Sequence, residues 1–513
     1  MKTNRPYWFD SANVPKFPTL KRNLKVDVAI VGAGITGITA AYLIAKTGKK
    51  IALIERERCV RRDTGHTTAH VTYVTDLRCS ELVSDFGRDH ARAIWDAGAA
   101  AMQEIRSIVD ELDIACELRT VPAYLHAPLD SNGDGDWARL EKDARLAREL
   151  GFDATFLESV PLIHRCGVRF ANQAKFHPRK YLAGILKAVI EMGGSVFEQT
   201  SCDEILEKPL RVKANGKQIR CKYVIIATHV PLQGTSGTLE ATLFQTKLAP
   251  YSSYAIGARV PSGTIPEASY WDTSDPYYYL RVDAGKGHDY AIFGGEDHKT
   301  GQKSNTQERF QRLERKLHNL VPQAVVQHRW SGQVIETNDG LPFIGESSAH
   351  EFIATGYAGN GMTFGTVAAM MARDVVQGRT NPWRDLFAPS RKSIRAGAWD
   401  YLKENKDYPF YYIKDRLTKA RTKSWRSLKP GQGAVLEIDG EKVATFRGKQ
   451  GEVARCSAVC THMGCIVEWN NAEKTWDCPC HGSRFRPDGT VIAGPAEKDL
   501  ESWKQPARRA SKP

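Results

Sequence analysis

Long apolar runs are missing from this chain of 513 residues, because no stretch approaches the ~18 consecutive apolar residues that a membrane-spanning helix needs. Residues 1–24 contain scattered Lys and Arg but no continuous apolar segment, so we expect no secretory signal and a cytoplasmic location. Motifs typical of helix-turn-helix, zinc-finger and RNA-binding proteins are also lacking, which argues against nucleic acid as a partner.

Negative charge is in short supply, since Lys and Arg outnumber Asp and Glu and the formal net charge is +13. A basic surface attracts an acidic redox partner or an anionic membrane, so the composition is compatible with peripheral membrane contact. The surplus is concentrated in part between Arg391 and Arg426 and again between Lys504 and Lys512. We favour a solvated face over a docking site as the interpretation of both stretches.

A glycine-rich turn follows the first apolar stretch of the chain. Residues 26–31 form a short run rich in β-branched side chains, which predicts a buried parallel strand. After it, Gly32 permits a tight bend, Gly34 lets a pyrophosphate approach the backbone, and Gly37 leaves room for a helix against the sheet. Glu55 ends the next predicted strand, where its carboxylate accepts hydrogen bonds from ribose hydroxyls and repels a 2′-phosphate. The pattern favours an FAD-type dinucleotide site. The alternative is a glycine turn that serves packing alone.

Three later segments contain small or hydroxyl-bearing residues that suit cofactor binding. The polar loop 62–72 either wraps the cofactor or is a plain solvated loop. The apolar strand 223–228 ends in a small-residue turn, and the strand, glycine loop and helix of residues 339–379 offer backbone N–H groups to a cofactor. Aromatic-rich, alternating strands within residues 251–297 predict an antiparallel sheet.

These features, in this order, resemble the FAD-dependent D-amino-acid oxidase-like family over about residues 26–378. The resemblance implies an α/β FAD-binding Rossmann-like domain with an inserted antiparallel-sheet substrate domain. It also implies oxidation of a C–N bond by hydride transfer from carbon to flavin, in which substrate positioning carries much of the catalysis. The residues that the resemblance assigns to FAD binding are Gly32, Gly34, Gly37, Glu55, Thr67, Thr68, Ala227, Gly359, Gly361, Met362 and Thr363.

Two further residues match family positions that act on the substrate or the flavin. Arg281 loosely matches an arginine that clamps a substrate carboxylate, although the proline that often precedes it in the family is Leu280 here. A structural ion pair is the alternative role for Arg281. His70 is the nearest match to a histidine that some relatives attach covalently to the flavin.

Two boxes of Cys and His lie near the C-terminus, Cys460-Thr-His462-Met-Gly-Cys465 and Cys478-Pro-Cys480-His481-Gly-Ser483. Each box offers one thiolate and one imidazole, a donor set that suits a binuclear iron–sulfur cluster with the cysteines on one iron and the histidines on the other. A structural zinc site on the same four side chains is the alternative. Zinc would need neither the second cysteine of each box nor the Gly-Ser after the last histidine, so we favour the cluster.

The region from Pro430 to Trp503 resembles a Rieske [2Fe-2S] domain, which is small and all-β. The resemblance assigns Cys460 and Cys478 as the ligands of one iron and His462 and His481 as the ligands of the other. Three more assignments come from the resemblance alone. Cys465 and Cys480 match a disulfide of respiratory and photosynthetic Rieske proteins, although a disulfide is unusual in cytosol. Ser483 matches a hydroxyl that donates to a cluster sulfur, and Phe485 replaces a tyrosine of high-potential relatives, so we expect an intermediate potential.

The predicted domain organisation follows from these motifs and from shifts in composition. The domains are an N-terminal extension (1–25), an FAD-dependent oxidoreductase domain (26–390, with the substrate sheet at roughly 245–300), a basic linker (391–429), a Rieske domain (430–503) and a basic tail (504–513).

A flavin accepts two electrons as a hydride, whereas a Rieske cluster passes them one at a time. The leading hypothesis is a dehydrogenase that takes a small amine or amino acid as substrate and delivers single electrons to a ferredoxin, a cytochrome or a quinone. A second hypothesis is an electron-transfer component that supplies a partner oxygenase. The absence of another Gly-x-Gly-x-x-Gly motif for NAD(P)H and of a mononuclear iron site ranks it lower. A third hypothesis is a redox sensor that controls association.

We predict that His481→Ala abolishes the electron paramagnetic resonance signal of the cluster but leaves FAD bound, because the two cofactors belong to separate domains. Visible absorbance and electron paramagnetic resonance of the same sample measure both. Loss of FAD together with the cluster would contradict the two-domain organisation.

Overall fold

The computed structural model describes residues 4–130, 135–230, 247–303, 305–391 and 424–503. These residues form two compact units. The first unit contains the described residues up to 391 except for two short stretches, 249–251 and 298–308, which group with residues 424–503 in the second unit. Most of the predicted linker and all of the predicted tail lie outside the described residues.

A six-stranded sheet carries the glycine-rich turn in the first unit. Its strands, in order across the sheet, are Phe343–Ser348, Glu351–Thr355, Tyr223–Ile226, Val28–Val31, Ile51–Ile54 and Ser195–Phe197. Neighbouring strands are parallel except for the first pair, which is antiparallel. All four residues of Val28–Val31 are buried, and alternate residues enter two different hydrophobic clusters. Both faces of this strand are therefore covered, as the apolar run predicts.

A nine-stranded sheet, mainly antiparallel, forms the second layer. Its strands are Val325–Thr337, Leu248–Val260, Asp289–Lys299, Tyr279–Asp283, Ser269–Asp272, Arg119–His126, Gly167–Lys175 and His70–Val71, with Ala154–Leu157 paired to Gly167–Lys175. The sheet extends well beyond the predicted range of roughly 245–300. The strands that the sequence analysis missed are buried on both faces for much of their length, so they lack the alternating pattern by which strands are recognised.

Helices cover these sheets. The described α-helices are Tyr7–Ser11, Ile35–Ala45, Asp63–His66, Cys79–Phe86, Arg88–Glu111, Trp137–Glu149, Pro178–Glu191, Gln307–Leu320, Gly361–Val376 and Arg384–Phe387, and short 3-10 helices span Ala358–Asn360 and Trp425–Ser427. Within the described ranges, no helix is long and apolar enough to cross a membrane.

The N-terminal segment belongs to the first unit instead of extending from it. Trp8 is 1% exposed and packs in a hydrophobic cluster with Ala69, Tyr290 and Trp330. Leu24–Lys25 adds a parallel strand to a small sheet whose other strands are Lys217–Arg220, Leu210–Ala214 and Cys202–Glu207. The predicted boundary at residue 25 therefore does not separate this segment from the core.

The C-terminal part of the second unit is all-β, as predicted. One sheet has three antiparallel strands, Gln432–Ile438, Glu441–Arg447 and Val453–Ser457. The other has four, Glu468–Asn470, Thr475–Asp477, Arg484–Phe485 and Val491–Ala493. The two Cys/His boxes occupy the loops before the first and after the second strand of this four-stranded sheet.

We predict that Trp8→Ala lowers the free energy of unfolding of the first unit by about 3–5 kcal/mol, the usual cost of removing a fully buried tryptophan. Trp137→Ala is the matched control, because Trp137 is 41% exposed, and it should cost far less. Urea unfolding followed by flavin absorbance measures both. Equal effects of the two substitutions would show that the N-terminal segment does not stabilise the core.

Candidate functional site

The glycine-rich turn joins the strand Val28–Val31 to the helix Ile35–Ala45 and leaves no space for side chains. A Cβ on Gly32, at φ +102°, would lie 2.6 Å from the Ala227 carbonyl oxygen, and one on Gly37 would lie 1.8 Å from the Gly32 carbonyl oxygen. A Cβ on Gly34 would meet Thr64 Oγ1 at 2.8 Å. The bare backbone at a helix N-terminus is an arrangement that fits the pyrophosphate of FAD. The structure thus brings predicted residues Gly32 and Ala227 into contact.

Glu55 follows the strand Ile51–Ile54 and turns its carboxylate toward the same turn. Its Oε2 accepts a hydrogen bond from Ala33 N at 2.9 Å, and its Oε1 accepts one from Glu57 N at 2.8 Å. Burial raises the pKa of Glu55, and the hydrogen bond from Ala33 acts in the opposite direction. A carboxylate offers about four acceptor positions, so these bonds leave capacity for ribose hydroxyls.

The predicted cofactor residues Thr67 and Thr68 lie on a loop that is held by distant parts of the chain. Trp8 Nε1 donates to the Thr67 carbonyl oxygen at 2.7 Å. Arg281 Nη1 donates to the carbonyl oxygens of Thr68 at 3.0 Å and Ala69 at 2.6 Å. These contacts hold Ala69 in a left-handed conformation, with φ 56°.

Arg281 is 2% exposed, and its hydrogen bonds go to protein groups. Besides its contacts with the Thr67–Ala69 loop, Nη1 donates to the Phe176 carbonyl oxygen at 3.3 Å and Nη2 donates to Asp283 Oδ1 at 2.6 Å. Its Nε has no hydrogen-bond partner among the described residues. The contacts of Nη1 and Nη2 support the alternative role, a structural ion pair, and the carboxylate clamp stays a prediction.

The second glycine segment is tied to the loop of residues 72–76. Gly359 N donates to Asp76 Oδ2 at 2.7 Å, and Thr363 Oγ1 donates to the Thr72 carbonyl oxygen at 2.8 Å. Gly361 begins the helix Gly361–Val376, and Met362 is buried. A hydrogen bond of 2.9 Å between the hydroxyl groups of Thr36 and Tyr357 links this segment to the first helix. The predicted FAD residues of the first and last segments thus belong to one connected structure.

A polar group beside this segment escaped the sequence analysis. We call it the Asp297 cluster, and it consists of Asp76, Ser253, Tyr277, Tyr279 and Asp297. Tyr277 Oη donates to Asp76 Oδ1 at 3.3 Å, and the hydroxyl groups of Ser253 and Tyr279 lie 2.9 Å apart. Asp297 lies close enough to Tyr277 and Tyr279 for its charge to raise the pKa of both phenols, although burial is the larger cause. The aromatic-rich stretch around Tyr277 was the signal, but its acidic partners come from other strands and loops.

In the second unit, the structure brings the four predicted cluster ligands together. Cys460 and Cys478 are each 2% exposed, whereas His462 and His481 are partly exposed. The thiol groups of the two cysteines are hydrogen-bonded to each other. The two imidazole rings have centroids 4.9 Å apart and planes at 88°. Buried sulfurs beside partly exposed imidazoles form a donor set that fits a cluster with one iron facing inward and one facing outward.

Three of the four ligand side chains favour the protonation state that binds iron. A hydrogen bond from Cys478, together with backbone N–H groups of His462 and Met463, lowers the pKa of Cys460 and favours its thiolate. Burial lowers the pKa of His462 to about 4 and that of His481 to about 3, so both imidazoles are neutral near pH 7. Thiolates and neutral imidazoles are the protonation states that ligate metals. The hydrogen bond with Cys460 and burial raise the pKa of Cys478, so this thiol must release its proton when a metal binds.

A disulfide joins Cys465 to Cys480, with their Cα atoms 6.5 Å apart. The bond links the two ligand loops, as the resemblance implied. The sulfurs of Cys465, Cys478 and Cys480 lie within 4.8 Å of one another, but the disulfide withdraws two of them from metal binding. Cys478 remains as the ligand candidate of this group.

Ser483 lies directly beneath the ligand loops. Its hydroxyl is hydrogen-bonded to the sulfur of Cys460, and its Oγ accepts a bond from Ala496 N at 3.1 Å. A Cβ on Gly494 would lie 2.6 Å from the Ser483 Cα, so the later glycine segment packs against the second loop. Phe485, fully buried, offers no hydroxyl at its position. The predicted roles of both residues in tuning the cluster potential stay predictions.

Comparison with known families matches both halves of the chain. The family model for FAD dependent oxidoreductases matches residues 27–375, and that for the Rieske [2Fe-2S] domain matches residues 420–504. FAD and a [2Fe-2S] cluster are the cofactors of these two domains. The zinc alternative is therefore set aside.

Individual relatives match either the whole chain or one of its two parts. A Bacillus subtilis (strain 168) protein named as a Rieske 2Fe-2S iron-sulfur protein, YhfW, is 34% identical over 502 residues, which cover 96% of each chain. The cytochrome b6-f complex iron-sulfur subunit of Synechococcus sp. (strain JA-3-3Ab) is 56% identical over 71 residues, or 14% of this chain and 37% of that protein. The crystal structure of glycine oxidase from Geobacillus kaustophilus has a TM-score of 0.60 at 17% identity and covers 72% of this chain and 100% of that chain, a likeness of fold.

We predict that the double substitution Cys465→Ala/Cys480→Ala leaves a Rieske electron paramagnetic resonance signal but lowers resistance to urea. The disulfide spans 15 residues in sequence, and closing a loop of that size contributes about 3 kcal/mol. Cys460→Ser/Cys478→Ser is the matched comparison and should lack the signal altogether. Equal loss of the signal in both double variants would contradict the division into ligand and disulfide pairs.

Proposed function

The chain belongs to the FAD dependent oxidoreductase family and carries a Rieske [2Fe-2S] domain, and from this we propose that it is a dehydrogenase acting on the C–N bond of a small amine or amino acid. Bound FAD would supply a hydride acceptor for the carbon beside nitrogen, and a bound cluster would supply one-electron transfer to an external acceptor. The external acceptor is a ferredoxin, a cytochrome or a quinone. The presence of a hydride acceptor and a one-electron carrier in one chain is the observation that carries this proposal.

The first unit supplies the FAD site. The backbone of Gly32, Gly34 and Gly37 would accommodate the pyrophosphate at the N-terminus of the helix that begins at Ile35. The first N–H of this helix, that of Ile35, already donates to Thr64 Oγ1 at 3.1 Å. Glu55 accepts hydrogen bonds from the ribose. Arg281 acts as a positioning residue, because it holds the Thr67–Ala69 loop through two carbonyl oxygens.

The remaining residues assigned to FAD binding lie mainly on the second glycine segment. Gly359 lies in the short 3-10 helix Ala358–Asn360, and Gly361, Met362 and Thr363 begin the next α-helix, whose N-terminal N–H groups would serve the same cofactor. Hydrogen bonds to Asp76 and Thr72 fix the position of this segment. The carbonyl oxygen of Ala227 packs against Gly32, so the first turn has room only for glycine at that position.

The second unit supplies the cluster site. Cys460 and Cys478 would hold one iron with thiolates, and His462 and His481 would hold the other with neutral imidazoles. Neutral ligands leave less negative charge on a bound cluster, so its potential would lie above that of an all-cysteine ferredoxin. The Ser483 hydroxyl, which is hydrogen-bonded to the sulfur of Cys460, would raise the potential further.

An anaerobic titration of the full-length holoenzyme with a panel of amines and amino acids tests this function. We expect one substrate to bleach the flavin absorbance, after which the reduced Rieske signal grows in the electron paramagnetic resonance spectrum. In the His481→Ala variant, the same substrate should bleach the flavin without producing that signal.

A different outcome of this titration would overturn the dehydrogenase proposal. If no amine or amino acid reduces the flavin while NADH or a reduced ferredoxin reduces the protein, electrons enter from elsewhere and the dehydrogenase proposal fails.

A further inference from the structure

Four consecutive backbone carbonyls, those of residues 66–69, accept hydrogen bonds from buried side chains of distant segments. The bonds are His66 O from Trp330 Nε1 at 2.8 Å, Thr67 O from Trp8 Nε1 at 2.7 Å, and Thr68 O and Ala69 O from Arg281 Nη1 at 3.0 and 2.6 Å. The three donor residues are between 1% and 4% exposed. Neither a helix nor a sheet ladder supplies these bonds, so side chains fix the conformation of segment 66–69.

Segment 66–69 joins the glycine-rich turn to the nine-stranded sheet of the first unit. Before it, Thr64 Oγ1 accepts a hydrogen bond from Ile35 N at 3.1 Å, and a Cβ on Gly34 would meet the same oxygen at 2.8 Å. After it, the strand His70–Val71 forms one edge of the nine-stranded sheet. Because Thr64 is only two residues away, the conformation of segment 66–69 sets where this threonine meets the turn.

The backbone does not adopt the conformation of this segment unaided. Ala69 is fully buried with φ 56°, in the left-handed region that residues with a Cβ seldom occupy. A hydrogen bond of 2.9 Å from Ala69 N to Thr67 Oγ1 supports the bend locally, and the bond from Arg281 to the Ala69 carbonyl oxygen supports it from outside. Such a backbone persists only where the surrounding structure determines it. The side chains that bond to segment 66–69 therefore determine its shape.

The core of the first unit holds both tryptophans in place. Trp8 and Trp330 belong to one hydrophobic cluster with Ala255 and Ile292, and the guanidinium carbon of Arg281 lies 5.3 Å from the centre of the Trp8 ring. Both indole N–H groups are therefore fixed in direction before any cofactor binds.

The short helix Tyr7–Ser11, which carries Trp8, has anchors of its own. The ring of Tyr7 stacks on that of Tyr290, with centroids 4.1 Å apart. Just after the helix, the Ala12 carbonyl oxygen accepts a hydrogen bond from Arg179 Nε at 3.0 Å. The N-terminal segment is thus fastened on both sides of the indole that reaches segment 66–69.

We propose that Trp8 and Trp330 are positioning residues of the FAD site, because they hold segment 66–69 in the shape that binds the cofactor. Thr67 and Thr68, two residues assigned to FAD binding, lie within this segment, so the inference rests on the FAD site of the proposed function. It gives the N-terminal segment a role in cofactor binding that its stabilising contacts alone do not require.

Conservative substitutions in the full-length protein test the proposal. Trp8→Phe and Trp330→Phe keep an aromatic ring and remove the N–H donor, which leaves one buried carbonyl without its partner. Titration of the flavin-free protein with FAD, followed by quenching of flavin fluorescence, gives the dissociation constant. We expect this constant to rise about tenfold in each variant, the size of the penalty for one unsatisfied buried acceptor.

Trp476→Phe is the matched control. Trp476 is fully buried in the second unit, and its Nε1 donates to the Pro487 carbonyl oxygen at 3.3 Å, so the substitution removes the same kind of bond and the same volume. The dissociation constant of FAD should be unchanged in this variant. A constant that stays at the wild-type value in Trp8→Phe or Trp330→Phe, or that rises equally in Trp476→Phe, overturns the proposal.

The absorption spectrum of the bound flavin is a readout that loss of stability alone would not move. With FAD saturating, we expect the visible bands of Trp8→Phe and Trp330→Phe to shift from those of the wild-type protein, and those of Trp476→Phe to coincide with them. Coincident spectra in all variants would show that segment 66–69 keeps its shape without these donors, which overturns the proposal.

Amide hydrogen exchange of the wild-type chain decides the case if a variant does not fold. Coupling between two contacts is reciprocal, so if Trp8 favours FAD binding, then FAD stabilises the contact that Trp8 makes. We expect saturation with FAD to slow exchange in Tyr7–Ser11 by about threefold or more, while the control helix Trp137–Glu149 keeps its rates. Unchanged exchange in Tyr7–Ser11 overturns the proposal.

These measurements separate the inference from the proposed function. If FAD binds equally well to the wild-type protein and to both variants, the inference fails and the dehydrogenase stands on the amine titration alone. If FAD affinity falls as expected while no amine or amino acid reduces the flavin, the positioning role stands and the dehydrogenase fails. Absence of FAD binding by the wild-type protein would overturn both.

Discussion

The direct packing of a helix on the backbone of its own turn is the constraint on which the first unit depends. Gly37 lies so close to the Gly32 carbonyl oxygen that any larger side chain would separate the helix Ile35–Ala45 from the sheet. The same closeness directs the helix N-terminus to the edge of the sheet where Glu55 and Ala227 lie. A single contact between two glycines therefore aligns the groups that a dinucleotide needs.

Charge is distributed unevenly within this framework. Lys175 and Arg281 are almost fully buried, yet each has a carboxylate partner, so their charges are neutralised within the sheet and its loops. Asp76 differs from these cations, because its carboxylate is exposed and accepts a hydrogen bond from Gly359 N. Water solvates an exposed carboxylate, so Asp76 needs no cationic partner.

The second unit depends on two short loops that a disulfide joins. Thiol groups of Cys460 and Cys478 are buried, while His462 and His481 reach toward the surface. Such an arrangement insulates one side of a cluster and leaves the other near solvent, where an acceptor protein can approach. The two units also differ in the chemistry of their cofactors. FAD in the first unit serves hydride chemistry, and the [2Fe-2S] cluster in the second serves single-electron transfer.

Local patterns were sufficient to predict the glycine turn, Glu55 and the two Cys/His boxes, since each is a motif of closely spaced residues whose chemistry requires that spacing. The extent of the nine-stranded sheet could not be predicted, because doubly buried strands lack alternation. The partners of Arg281 and Asp76 could not be predicted either, as 213 residues separate Arg281 from Thr68 and 283 separate Gly359 from Asp76. By itself the sequence determined which cofactor chemistry the chain carries, because cofactors are bound by short motifs. Only the tertiary structure decided which charged side chains pair with one another, because ion pairing depends on neighbours that folding brings together from distant segments.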